Sequence, residues 1–194
     1  MANVLSAYAL LELDEAKSAI NAGTNFTQDE ELTMYINGVT DFIENYCNRK
    51  IVVRAYVEVF DGDGTNRYFT RNIPILTGGS YTISVVYNED SDVVPAASVL
   101  KNTETGEVYL DDSYAFETGF QNCSVTYSAG FATIPGSIKT AASIIISHLW
   151  RVRDKQAENM ATISIEGQAI TLKPEAIPGE ALAMLQRYRR ASYA

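Results

Sequence analysis

Hydrophobic residues recur in this chain at two different periods, and the period switches twice. Leu32, Ile36, Val39, Ile43 and Tyr46 stand four and three apart. That spacing predicts one apolar face of a helix from Thr27 to about Asn48, widened by Phe42 and Cys47. Thr27 followed by Glu30 reads as a capping box at its start. A shorter helix over 13–22 precedes it, with Asp14 and Glu15 in the first turn, where acids suit the helix dipole, and Gly23 as its stop. Past Arg49 and Lys50 the pattern becomes β-branched and aromatic. Segments 51–60, 67–70, 81–87, 99–100, 108–110 and 124–128 read as short strands. Asp61-Gly62-Asp63-Gly64 predicts a hairpin turn from the first strand into the second, and 102–106 a second hairpin. The helical period then returns at Ile134-Pro135. Ile138, Ala142, Ile145, Leu149 and Val152 form one stripe, and Ile144, Ile146 and Trp150 make this helix apolar nearly all round. Gly167 within 163–172 suggests a small hairpin or loop, and 178–190 reads as a last helix with Leu182, Leu185 and Tyr188 on one side.

Helices with unpartnered apolar faces most economically bury one another, so the helical ends belong together and the strands between them are an insertion. The expected fold is α+β: a small helical bundle of residues 1–50 and 131–194, with an antiparallel β domain inserted at 51–130, its entry and exit close together. No internal repeat, low-complexity tract or long linker interrupts this order. No apolar run approaches the ~20 residues a membrane helix needs. Residues 1–11 carry no basic segment or cleavage signal, so nothing marks the chain as secreted. Cys47 and Cys123 make no disulfide framework and suit a reducing cytoplasm.

Fifteen Lys and Arg against 24 Asp and Glu give a net charge of −9. A phosphate-tracking nucleic-acid binder needs clustered cations, so that class is disfavoured. The charge is also uneven. Residues 1–48 sum to −7, residues 49–134 to −5 and residues 135–194 to +3. Uneven solvation explains this; so does a head-to-tail contact between copies, acidic part to basic part, which closes into a ring if the rotation allows.

Catalytic side chains are scarce. His148, the one histidine, lies in the most apolar helix and reads as a hydrogen-bonded core residue. No local motif pairs it with Cys47 or Cys123, and these three residues lack the spacing of a zinc site. Asp61-Gly-Asp-Gly-Thr-Asn66 resembles the front of a calcium loop, but Asn72 stands where the bidentate Glu belongs, and a turn explains the same residues. Glu89-Asp90-Ser-Asp92 and Asp111-Asp112 are acidic pairs of the kind glycosidases use, and read here as solvated turns. Gly78-Gly79 has no phosphate-loop context. Neither a catalytic residue, a metal nor a cofactor is expected. Twelve tyrosines fit both strands and interfaces.

Four blocks carry a family resemblance: Leu13-Asp-Glu-Ala-Lys17; Asp41-Phe-Ile-Glu-Asn-Tyr-Cys-Asn-Arg-Lys-Ile-Val52; Val125-Thr-Tyr-Ser-Ala-Gly-Phe131 with Ile134-Pro-Gly-Ser-Ile-Lys-Thr-Ala-Ala142 and His148-Leu-Trp150; and Ala183-Met-Leu-Gln-Arg-Tyr-Arg-Arg190. In this order the chain resembles the head–tail connector (head-completion or adaptor) proteins of tailed bacteriophages, in the form with a β domain inserted in the helical core. The resemblance implies a structural, non-enzymatic virion protein. Its partners would be its own copies in a ring of twelve, the portal above, and a neck, stopper or tail protein below. Double-stranded DNA would pass through without specific binding, and no membrane is involved. Its place would be the head–tail interface, reached from the host cytoplasm during assembly. In other members the C-terminal segment often contacts the portal, and by that resemblance Arg187, Arg189, Arg190 and the tail to Ala194 are the candidates here. An acidic channel wall that repels phosphates would draw on Asp29, Glu30, Glu31, Asp41 and Glu44, or on acids of the β unit. A tail-completion protein, a hydrolase using the acidic pairs and a carbohydrate-binding module are the other readings.

Overall fold

In the computed structural model, residues 4–23, 27–158, 164–165, 168–169 and 177–190 are described, with side chains between 154 and 176 left aside. Among the described residues the fold is α+β: four α-helices, one short 3-10 helix and antiparallel sheets. It divides into two compact units, Met1–Asn48 with Ile134–Ala194, and Arg49–Thr133.

The first unit is helical. It contains α1 (Leu13–Ala19), α2 (Asp29–Cys47), α3 (Gly136–Glu158) and α4 (Gly179–Gln186). The stripe Leu32, Ile36, Val39, Ile43 is buried, as are Ile138, Ala142, Ile145 and Ile146 of α3 and Leu185 of α4. Each of the buried leucines, isoleucines and Val39 contributes about 1.5–3 kcal/mol on leaving water. Polar ties set the helices against one another. Lys139 pairs with Glu15 at 2.7 Å, Arg153 with Glu31 at 2.5 Å, and Lys17 with Asp29 at 2.9 Å. The Ser147 hydroxyl donates to the Ala19 carbonyl. Asn37 clamps the N-terminal segment, donating to the Val4 carbonyl and accepting from the Ser6 amide.

The helix boundaries correct two expectations. The Thr27–Glu30 capping box does not form, because Gln28 is the N-cap. Glu31 then occupies the third helical position, and Arg153 engages its carboxylate. The box forms instead at α1, where Glu15 accepts from the Glu12 amide at 2.9 Å. Nor does Gly23 stop α1: the helix ends at Ala19, and Asn21 takes the left-handed turn at φ 54°.

The second unit holds two three-stranded sheets. One orders β1 (Arg54–Gly62), β6 (Gly119–Ala129) and β3 (Ser84–Val86). The other orders β2 (Arg67–Phe69), β5 (Glu107–Leu110) and β4 (Val99–Asn102). All ladders are antiparallel. β1 pairs with β6 from Arg54↔Ala129 to Phe60↔Cys123, then bulges before Gly62↔Gly119. The Phe131 amide donates to the Ile51 carbonyl, so the chain enters and leaves this unit side by side.

The expected hairpin at Asp61–Gly64 is therefore a corner between two sheets. Past it, the Gly64 amide donates to Phe116, the Phe116 amide to Thr65 and the Leu110 amide to Asn66. These bonds draw the chain along 110–116 and away from β1. Gly62 is required at the corner: a Cβ there would lie 1.8 Å from the Glu117 carbonyl oxygen. The tyrosines serve the core of this unit. Tyr127 is buried, and Tyr56, Tyr68, Tyr87 and Tyr114 pack around it and its apolar neighbours. Ser164↔Ala169 and Ile165↔Gln168 form a further two-stranded ladder, β7 (Ser164–Ile165) with β8 (Gln168–Ala169).

Candidate functional site

The residues named for catalysis are used for structure. The Cys123 thiol donates to the Tyr87 carbonyl, and burial pushes its pKa up to about 11, so it is not a thiolate. Asp61 accepts from the Gln121 amide at 2.7 Å, and Asp63 from the amide and hydroxyl of Thr65. Those bonds to Thr65 lower the Asp63 pKa. Asp111 is lowered too, by bonds from Ser98 and Ser113, whereas a general acid needs its pKa raised. Asp112 accepts from the Tyr109 hydroxyl. Among the described residues no group of three or more His, Cys, Asp or Glu is gathered as for a metal, and no helix is long and apolar enough to cross a membrane.

His148 departs from expectation. It is half-buried, not core, because the face of α3 that carries it opens on a groove of about 400 Å³. Thr140, Ser147, Arg151 and Glu180 line the same groove.

The acidic candidates on α2 fall into three groups. Glu44 is 2% exposed, so it is withdrawn as a channel-lining residue: its position in the 3.6-residue repeat turns it inward beside Ile43 and Cys47. Asp29 and Glu31 hold Lys17 and Arg153, which spends their charge within the chain. Glu30 and Asp41 stand on the exposed face of the helix.

The basic candidates follow the end of α4. Arg187 is the C-cap, so the arginines lie at and beyond the last turn and not inside a longer helix. The Arg187 guanidinium lies 4.8 Å from the centre of the Tyr188 ring and donates to its hydroxyl. That hydroxyl is 2.7 Å from the Ser137 hydroxyl of α3. Arg189 lies over the Tyr46 ring at 5.7 Å, and the Arg190 amide donates to the Cys47 carbonyl at 2.9 Å. The arginines are thus held against the end of α2 and the start of α3 while Arg187 and Arg189 remain exposed. In the sequence their aromatic partners Tyr46 and Tyr188 show only as members of apolar stripes. Ala194 lies outside the described residues.

A family model described as "Head completion protein" matches residues 9–191. No curated protein matches the chain. Among solved structures, a chain of the neck of an empty gene transfer agent particle, computed with C6 symmetry, is 14% identical. It aligns over 99% of this chain and 96% of its own length with a TM-score of 0.63. A chain of the native gene transfer agent virion is 13% identical over 100% and 96%, TM-score 0.60. One from the native neck computed with C12 symmetry is 12% identical over 99% and 96%, TM-score 0.59.

Proposed function

The chain belongs to the head completion protein family of phage head–tail connectors, and from that premise we propose that its copies assemble as a ring beneath the portal and extend the DNA channel. Its role is structural, in the virion neck. The observation that carries the finer reading is coverage. The family match runs through both units, and the likeness to neck chains extends over nearly the whole length, in necks computed with C6 and with C12 symmetry. Twelve copies is accordingly the proposed number.

In this reading the exposed Arg187 and Arg189, with Arg190 beside them, meet an acidic surface of the portal. Aromatic contacts hold the two guanidinium groups in place, which lowers the entropy lost on docking. Glu30 and Asp41 supply the phosphate-repelling wall, repeated by the ring symmetry, so that double-stranded DNA slides without adhering. The opposite opening receives a neck, stopper or tail protein. Assembly takes place in the host cytoplasm. Electron microscopy of the protein mixed with its portal tests this directly. The expected result is a stacked annular density with a central channel. Absence of association at every salt concentration would overturn it.

A further inference from the structure

One face of the β unit has no part in the contacts described above. Along β1, Ala55, Val57 and Val59 point away from the core, between the inward Tyr56, Glu58 and Phe60. The register places Ser128, Thr126 and Ser124 of β6 beside them, and Ser84 and Val86 of β3 beyond. These eight neighbouring side chains include no charge, in a chain with 39 charged residues among its Lys, Arg, Asp and Glu; the first charge along the face is Asp61, at the bulge that ends it, whose carboxylate accepts from the Gln121 amide. Val57 is 65% exposed and Val59 51%. The outer face of the other sheet differs, for Arg67 and Glu107 pair across it.

The two edges of the β1–β6–β3 sheet also differ. Beyond β3 the chain covers its own edge: Val86 bridges to Val93, and the Val94 amide donates to the Val85 carbonyl at 2.9 Å. Among the described residues β1 is the last strand on its side, nine residues long and without lysine or proline, with Arg54, Glu58 and Asp61 as its charged residues. An unpaired strand edge is a template for association, and the outward side chains of β1 from Ala55 to Val59 carry no charge to blunt it.

We propose that this uncharged face, with the β1 edge, is the surface by which one copy of the chain meets the next. The inference rests on the ring reading above and adds the contact that closes it. A second copy is the occupant that the electrostatics favour. Two copies at −9 each repel, and they approach most cheaply through a surface that brings no charge of its own and loses none to desolvation. DNA finds no cation on this face, and a charged docking partner finds no counter-charge. Burying Val57 and Val59 supplies the attraction.

A photocrosslinking amino acid at position 57 tests this in complexes formed with the portal. The expected products are covalent multiples of this chain. Crosslinks to the portal alone, or none, would overturn the inference. In parallel, the double variant Val57→Lys, Val59→Lys is expected to keep the wild-type circular dichroism and melting curve while forming no ring. Should that variant misfold, Thr126→Lys places one charge on the same face and is expected to remove ring formation while keeping the fold. A wild-type ring together with an intact variant ring refutes the inference alone. A wild-type protein that binds portal without forming a ring refutes the ring reading, and the inference with it.

Discussion

Glu58 sits on the inward side of β1, 9% exposed, among apolar neighbours. A carboxylate there is tolerable only when hydrogen bonds replace its water. It accepts from the hydroxyls of Tyr68 and Tyr127 and from the Arg71 amide at 3.1 Å. Replacing one acceptor oxygen with a donor leaves a buried partner unmatched. Glu58→Gln is expected to lower stability by about 1–3 kcal/mol, read from the denaturant midpoint. The same cluster gives an alkaline signature. Burial, with Glu58 beside them, raises the pKa of both Tyr68 and Tyr127. The folded chain then holds two protons that the unfolded chain releases near pH 10. Their contribution to stability is complete below that pH and is lost as pH rises through the raised values. The midpoint is expected to fall between pH 9 and pH 11, and to fall less in Tyr68→Phe, Tyr127→Phe. An equal fall in both proteins would discount the cluster as the cause.

Helix α2 shows how an element is terminated. Asn48 follows its last residue with φ 50°, a left-handed conformation that asparagine tolerates and β-branched residues resist. Asn48→Val is expected to destabilise the helical unit by about 1–2 kcal/mol, and Asn48→Gly to be near neutral, in thermal melts followed at 222 nm. The body of this helix was legible in sequence because a 3.6-residue stripe records burial directly, and the residues of that stripe are the buried ones. Its start was not. Thr27-x-x-Glu30 satisfies the local rule for a capping box, yet Arg153 reaches Glu31 from 122 residues away. A motif four residues long holds no record of such a partner. Asn21 in place of Gly23 at the end of α1 teaches the same lesson, since either residue can turn left-handed and the local sequence does not choose between them.

On the scale of the molecule, charge governs association. Replacing Arg187, Arg189 and Arg190 with Glu is expected to abolish portal binding and leave the monomer folded. The Arg190 contact to Cys47 is made by its backbone amide, which the substitution keeps. Sedimentation with purified portal checks this, and unchanged binding would count against the contact. The α+β class and the order of helices and strands followed from the sequence, because hydrophobic period is a local property that each segment carries whatever it packs against. The resemblance to connectors also came from the sequence, in four ordered blocks that cover both units. What only the tertiary structure decided is pairing. β1 joins β6, some 60 residues away, and not the strand that follows it, because bonds from 64–66 to 110–116 carry the chain into a second sheet. Pairing likewise sorted the acids of α2. Glu44 is buried, Asp29 and Glu31 are tied to cations, and Glu30 and Asp41 face outward. Charge in a sequence is a count, whereas exposure and partnership are set by contacts between distant segments, and only those decide which charges another molecule meets.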